Sequence, residues 1–358
     1  MKYKLHTKNF LIKLLIILNI IMIGMLSISS VTMAENVTSD TENKSSELNI
    51  YAKSCILVEC STGRTAYEKN SEEKLYPAST TKILTAILAV ENCKMDDVVT
   101  ITSEMTSKVP VSYTTAYLRP GEKITVEELL NVLLIPSAND AGFALAIHIS
   151  GSVEEFANLM NTKAEELGCT NTHFTNPSGI HNNEHYSTAK DMSLIAMKAM
   201  SYPQIVDIVC KTSYKLKPES AIVRNFETTN TLLKPDEPNY YEYATGMKTG
   251  FTTPAGACVI ATAKKDDMQF LAVVLGAPEP TTNMIYRDAD CKTLFEYGFE
   301  NYEIITKIDK PVISFLNDTF PIKTSVNDLL KYVIAILGIA ILLMIIKTVF
   351  KGKKSKKK

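Results

Sequence analysis

Residues 76–86 read "YPASTTKILTA", and the fold turns on why Lys82 follows Ser79 by three positions at the mouth of an apolar helix. Pro77 and Ser79 read as a helix start, and Ile83, Leu84, Ile87 and Leu88 supply the apolar stripe behind them. A serine acting only as a cap favours Glu or Gln three residues on, where the side chain reaches back to the cap's amide. Lys82 instead places positive charge at the positive end of the helix dipole. That placement is locally unfavourable and points to a chemical role. At i, i+3 the amine and the Ser79 hydroxyl share one helix face, within reach of each other.

Outward from this helix, "SCILVECSTGRTAYEKN" (54–70) predicts two strands around a turn at Thr62-Gly63, and "DDVVTIT" a further strand. Thr125 and Glu128 form a capping box for a helix over Val126–Ile135, which Pro136 separates from its successor at about Ala141–Ile149. Ser152 and Glu155 open another helix that closes at Leu167-Gly168; Thr188 and Asp191 cap one through Met200, ended by Pro203. Two apolar strands, "ACVIATAK" and "QFLAVVLG", meet at Asp266-Asp267, and a helix follows over about Tyr286–Phe299. Strands at both ends with helices between predict an α+β domain: one sheet built from both ends of the chain, with a helical subdomain inserted in the middle.

The formal charge of −1 hides a segregation. Residues 1–34 carry four lysines and residues 347–358 carry seven, with no acids in either; removing these from the 38 basic residues leaves 27 against 39 acidic ones, a net of −12. A body so acidic argues against a nucleic-acid partner. Residues 1–34, with a lysine-rich start, an apolar stretch from Leu14 and small residues ending at Ala34, read as a secretory signal, cleaved or retained as an anchor. Residues 35–48, rich in Ser, Thr, Asn and Glu, read as a linker. Residues 329–350 are apolar over about the length that spans a bilayer, and the polylysine tail 351–358 is expected to stay cytoplasmic. The expectation is an exported body tethered to the outer face of the plasma membrane. Seven cysteines show no zinc-like spacing; Cys55 and Cys60, the closest pair, are either one disulfide or two free thiols on a strand.

Three short motifs carry chemistry. SxxK occurs at Ser71, Ser79, Ser187 and Ser355, but only the Ser79 copy opens an apolar helix. SxN occurs at Ser137-Ala138-Asn139, in the loop after Pro136, and again at Ser325. KTG occurs once, Lys248-Thr249-Gly250, leading into the first late strand. Their order is that of penicillin-binding proteins and class A β-lactamases. The likeness reaches further: "PASTTKILTA", "LLIPSANDAGFALA", "LGCTNTHFTNPSGIH", "HYSTAKDM", "GMKTGFTTPAGACVIATA" and "LFEYGF" resemble the serine-type D-alanyl-D-alanine carboxypeptidases, the low-molecular-mass penicillin-binding proteins, over about residues 48–305.

The resemblance implies the β-lactamase/DD-peptidase-like fold, an antiparallel sheet flanked by helices with an all-helical subdomain, for a catalytic domain at 49–305. A linker at 306–328 follows, where relatives commonly carry a β-rich domain before their membrane anchor. The residues themselves suggest how such a site works. An enclosed Lys82, near a helix's positive end and a second lysine, loses proton affinity and can take the Ser79 proton. Ser137 is expected to relay a proton to the leaving group, and Asn139 to donate to Lys82 or to the substrate amide. Lys248 and Thr249 are expected to bind the carboxylate of a chain end, while Gly250 lets a substrate strand lie close. By resemblance, the backbone amides of Ser79 and Phe251 form an oxyanion hole. Arg287 is either a second carboxylate ligand or half of a surface ion pair.

The expected substrate is a peptidoglycan stem peptide ending in D-Ala-D-Ala, with β-lactams as acylating mimics and no metal or cofactor. Two alternatives are a β-lactamase of the same fold and a catalytically dead wall-binding homologue. Class A lactamases deacylate through a glutamate-positioned water. Here Glu154 to Asn158 has the ExxxN spacing but falls inside a capped helix, and the "NPSGIH" loop has no glutamate before Glu184. "HNNEH" (181–185) matches a zinc signature formally, yet that signature needs a helix and this run is turn-forming. His185 is therefore expected to pack the helix start that follows it.

Overall fold

The computed structural model describes residues 48–217, 222–281 and 285–307. The expected signal, all but the last residue of the 35–48 linker, residues 308–328 of the second linker, the spanning segment 329–350 and the polylysine tail lie outside the described residues. Among those described, no helix is long and apolar enough to cross a membrane.

Three apolar runs make the centre of one antiparallel sheet. Strands β1 (Ser54–Glu59), β2 (Thr65–Lys69), β7 (Ala244–Thr252), β8 (Gly256–Lys265) and β9 (Met268–Ala277) lie in the order β2-β1-β9-β8-β7, so the first described strand pairs with the last. Strands β3 (Val98–Thr100) and β4 (Lys123–Thr125) pair with each other in a separate sheet. Successive side chains point to opposite faces, and both faces are covered. Leu57, Val259, Phe270 and Val274 enter one core with Leu294 and Phe295 of the long helix Tyr286–Lys307. Ile56, Ile260, Leu271 and Val273 enter the other with Ile83, Leu84, Ile87 and Leu88. Double-sided burial is why these strands read as continuous apolar runs without alternation. Each fully buried large side chain contributes roughly 1.5–3 kcal/mol.

The second core is shared by the inserted helices: α1 (Lys82–Asn92), α2 (Ser103–Ser107), α3 (Val126–Leu134), α4 (Asn139–Ser150), α5 (Val153–Glu166), α6 (Ala189–Ala199) and α7 (Pro203–Val209). The Thr125–Glu128 capping box forms in both directions, at 3.2 and 2.9 Å. Ser152 caps α5 through the Glu155 amide, with the Glu155 side chain exposed. Thr188 caps α6, while the Asp191 carboxylate instead accepts from Asn171 N and Thr172 Oγ1 and pins the preceding loop.

Two local expectations need correction. Pro203 does not merely end a helix; it starts α7 at a first-turn position where its missing N–H costs nothing. The KTG motif does not precede the first late strand but lies inside β7, at the sheet edge, where glycine and threonine hid the strand pattern. Short elements, α2 and the hairpin of β5 (Ser213–Leu216) with β6 (Arg224–Glu227), were too brief to show a period. All seven cysteines are free thiols. Cys55 and Cys60 stand five positions apart along one extended segment, roughly 17 Å, beyond the ~7 Å that a disulfide can bridge.

Candidate active site

The turn before α1 holds the nucleophile. Residues Ala78–Thr81 form a 3-10 turn, and Ala78 takes the left-handed conformation (φ +48°), sparse for a residue with a Cβ. No side chain caps this turn; the Ser79 hydroxyl lies 2.9 Å from Lys82 Nζ. Lys82 is fully buried, and Nζ reaches two further oxygens, Asn139 Oδ1 at 2.9 Å and the Ser178 carbonyl at 2.8 Å. Asn139 does not donate to Lys82 as expected but accepts from it: its Nδ2 donates to Thr114 O, so Oδ1 must face the lysine. Burial, reinforced by the nearby Lys248 charge, holds the Lys82 ammonium well below the ordinary lysine range, with Asp140 pulling the other way. Burial also raises the Asp140 carboxyl, although the amides of Ala116, Leu118 and Ala141 donate to it.

This arrangement decides where the lysine's electron pair lies. Asn139 Oδ1 and the Ser178 carbonyl can only accept, so a neutral amine spends both N–H bonds on them. The remaining lone pair faces the Ser79 hydroxyl.

The Ser178 carbonyl was invisible in the sequence, because a backbone acceptor has no residue code. Its loop is tied down by side chains that are encoded. Asn176 Oδ1 accepts from the amides of Ser178 and Ile180, and Thr85 Oγ1 donates to Pro177 O at 2.6 Å. Gly179 (φ +76°) lies so close to the nucleophile turn that a Cβ there would stand 1.8 Å from Ala78 O. His185, expected to pack the helix start that follows it, hydrogen-bonds the nucleophile turn and the 175–176 segment. Its Nε2 lies 2.9 Å from Thr81 Oγ1, and its Nδ1 accepts from the Thr175 amide at 3.1 Å. Burial pushes this imidazole down to about 3, so it is neutral at ordinary pH. The other histidine of the HNNEH run, His181, lies edge-on to Tyr76 on the cleft wall, and Glu184 is exposed.

Strand β7 forms the opposite wall. A Cβ on Gly250 would stand 2.8 Å from Ser79 N and 3.2 Å from Pro77 O, so the close approach that needs glycine is that of the protein's own nucleophile turn. Lys248 is not on the cleft surface: it is buried, with Nζ donating to Thr249 O at 2.9 Å, and burial beside Arg287 lowers it to about 7. The groups that do face the cleft there are Thr249, hydrogen-bonded to Thr229 at 2.5 Å, and Arg287, whose guanidinium is held by Asp288 and Thr229 O. Arg287 is thus no surface ion-pair residue.

Ser79, Ser137, Asn139, Gly250 and Phe251 all line this one cleft of about 600 Å³, and Ser137 enters it from a left-handed backbone (φ +69°). None of its lining residues is acidic. A larger cleft of about 900 Å³ lies beside the β5–β6 hairpin and shares no residue with it. Tyr113 and Thr114, which complete the wall, carried no sequence signal beyond a polar loop.

A serine oxygen facing a solvent-excluded amine at the foot of an open cleft is the arrangement of a serine acyl-transfer enzyme. The profile of the D-alanyl-D-alanine carboxypeptidase family, peptidase S11, matches residues 40–279. D-alanyl-D-alanine carboxypeptidase DacF of Bacillus subtilis is 39% identical over 285 residues, covering 78% of this chain and 70% of that protein. Among solved structures, the Streptomyces K15 DD-transpeptidase superposes with a TM-score of 0.65 at 31% identity, covering 70% of this chain and 98% of that one. Penicillin-binding protein D2 from Listeria monocytogenes, solved in its ampicillin-bound form, gives 0.59 at 28% identity, covering 70% and 99%. The chain belongs to the D-alanyl-D-alanine carboxypeptidase family of serine hydrolases.

Proposed function

We propose that this chain is an exported DD-carboxypeptidase that removes the terminal D-alanine from peptidoglycan stem peptides through an ester on Ser79. The observation that carries the reading is that two of the three partners of Lys82 Nζ, Asn139 Oδ1 and Ser178 O, can only accept, so a neutral amine turns its lone pair to the Ser79 hydroxyl 2.9 Å away. Lys82 takes that proton as Ser79 Oγ attacks the carbonyl of the penultimate D-Ala. The oxyanion is held by the amides of Ser79 and Phe251, each such donor being worth roughly 3 kcal/mol. As the tetrahedral intermediate collapses, the C–N bond breaks and the departing amine takes a proton from Lys82 by way of Ser137. Water then attacks the ester, Lys82 serving again as base, and frees the shortened peptide.

The substrate's terminal carboxylate is received by Thr249 and Arg287, with the buried Lys248 charge behind them. β-Lactams acylate Ser79 by the same route. Residues 1–34 and 329–350 support export and a membrane tether, with the domain outside the plasma membrane and the lysine tail inside.

The test is D-Ala release from diacetyl-L-Lys-D-Ala-D-Ala, expected from the wild type and lost in Ser79→Ala. Equal release by both proteins, or none by the wild type, overturns the reading.

A further inference from the structure

We propose that Thr81 and His185 are positioning residues for the oxyanion site, acting through the peptide plane that joins Ala78 to Ser79. The inference rests on the reading above that Ser79 becomes acylated. That one plane is gripped from both sides. Its carbonyl oxygen accepts from Thr81 Oγ1 at 2.8 Å and abuts Gly179, where even a methyl group would collide with it. Its nitrogen, Ser79 N, faces strand β7 at Gly250. In a trans peptide the C=O and N–H point in opposite directions. Fixing the oxygen against the 176–180 loop therefore aims the Ser79 N–H at the β7 side, where the substrate carbonyl must lie.

The Thr81 hydroxyl is itself oriented. His185 Nδ1 accepts from Thr175 N, so the ring's proton resides on Nε2 and is donated to Thr81 Oγ1. Thr81 Oγ1 accepts there and can only donate onward, to Ala78 O. The result is a one-way chain: His185 N–H to Thr81 O–H to the Ala78 carbonyl, ending in the Ser79 N–H. Each bond in such a chain polarises the next, so the amide that receives the oxyanion becomes a stronger donor as well as a better aimed one. Neither Thr81 nor His185 lines the cleft, so both act only through the Ser79 amide. It also supplies the restraint that the strained Ala78 conformation requires, since sparse backbone conformations persist only where their surroundings hold them.

The experiment labels the full chain with a penicillin carrying ¹³C at the β-lactam carbonyl. It records the ester carbonyl band by infrared difference spectroscopy, together with the acylation rate. Thr81→Val keeps the side-chain shape and removes the hydroxyl. The expected result is an ester band at higher wavenumber and acylation slowed about tenfold, with Thr81→Ser returning both to near wild type. His185→Phe, which keeps the ring and removes both nitrogens, is expected to move the band the same way and to add nothing to Thr81→Val in the double variant. Bands and rates unchanged in Thr81→Val, or a slower rate with an unmoved band, overturn the inference while leaving the proposed function intact. A wild type that never forms the ester overturns both.

Discussion

Replacing Lys82 with methionine separates the base from the packing. Methionine fills a similar volume in this fully buried position but offers neither lone pair nor proton. Two acceptors, Asn139 Oδ1 and Ser178 O, lose their donor, at about 1–3 kcal/mol each. Against this, the wild type must hold an amine in a site that disfavours its charge, and the variant is relieved of that. The two effects oppose, so the fold survives with Tm lowered by less than ~10 °C. Chemistry has no such offset. A positioned general base contributes 10²–10⁴-fold, or roughly 3–5 kcal/mol of barrier, and the 2.9 Å separation of Nζ from Oγ lies within the range for direct transfer. Intact-protein mass spectrometry at saturating penicillin should therefore show Lys82→Met acquiring its adduct at least ~10²-fold more slowly than wild type, with circular dichroism confirming the fold. Lys82→Arg should be as slow despite its basic side chain, because a guanidinium does not give up its proton at any working pH. Acylation of either variant within about tenfold of wild type would refute the neutral-amine mechanism.

Two further outcomes follow from the geometry. In Gly179→Ala the new methyl meets Ala78 O, a backbone atom at 1.8 Å, in a left-handed conformation that alanine resists. Urea unfolding should show a loss of more than ~1 kcal/mol together with slowed acylation, and stability within ~0.5 kcal/mol of wild type would mean that the loop does not bear on the nucleophile turn. Lys248 should write a pH dependence into folding. Unfolded, it keeps its proton up to its ordinary 10.5; folded, it releases it at about 7. Between those limits the unfolded chain binds the extra proton, so stability rises with pH. Relative to Lys248→Met, the wild type should gain on the order of 4 kcal/mol between pH 7 and 10.5 at most, measured by denaturant titration at each pH. A difference that stays flat across that window would show an ordinary, solvated lysine.

The parts of this fold that were legible in the sequence are those whose signal is local. The apolar stripe of α1, the capping box at Thr125 and the two late strands each declare themselves within a dozen residues. The wrong-signed residue at Lys82 was the most informative single feature, since a local rule broken without compensation marks a functional position. What escaped was of two kinds. Backbone groups such as the Ser178 carbonyl carry chemistry that no residue letter records. Relations between distant segments were also hidden: His185 bonds to Thr81, 104 positions away, not to the neighbouring helix. Gly250 has the same lesson. Its need for close approach was readable, but which backbone approaches was not, and the partner is the Pro77–Ser79 turn.

The lifetime of the proposed ester follows from the same set of side chains. Hydrolysis requires a base beside the water that attacks, and no carboxylate lines the cleft among the described residues. Glu154, which has the ExxxN spacing, is exposed on α5, and Glu184 is exposed in its loop. Asp140 is buried and already accepts from Ala116 and Leu118. In the proposed mechanism Lys82 is then the base for both half-reactions, and its lone pair must turn from the leaving group to water. When a stem peptide is cut, D-alanine diffuses away and water can take its place. When a β-lactam is opened, the expelled nitrogen stays tethered to the acyl group and occupies that space. On the proposed function, one base serving both steps is expected to clear peptide esters and to retain β-lactam esters, as a peptidase would and a lactamase would not.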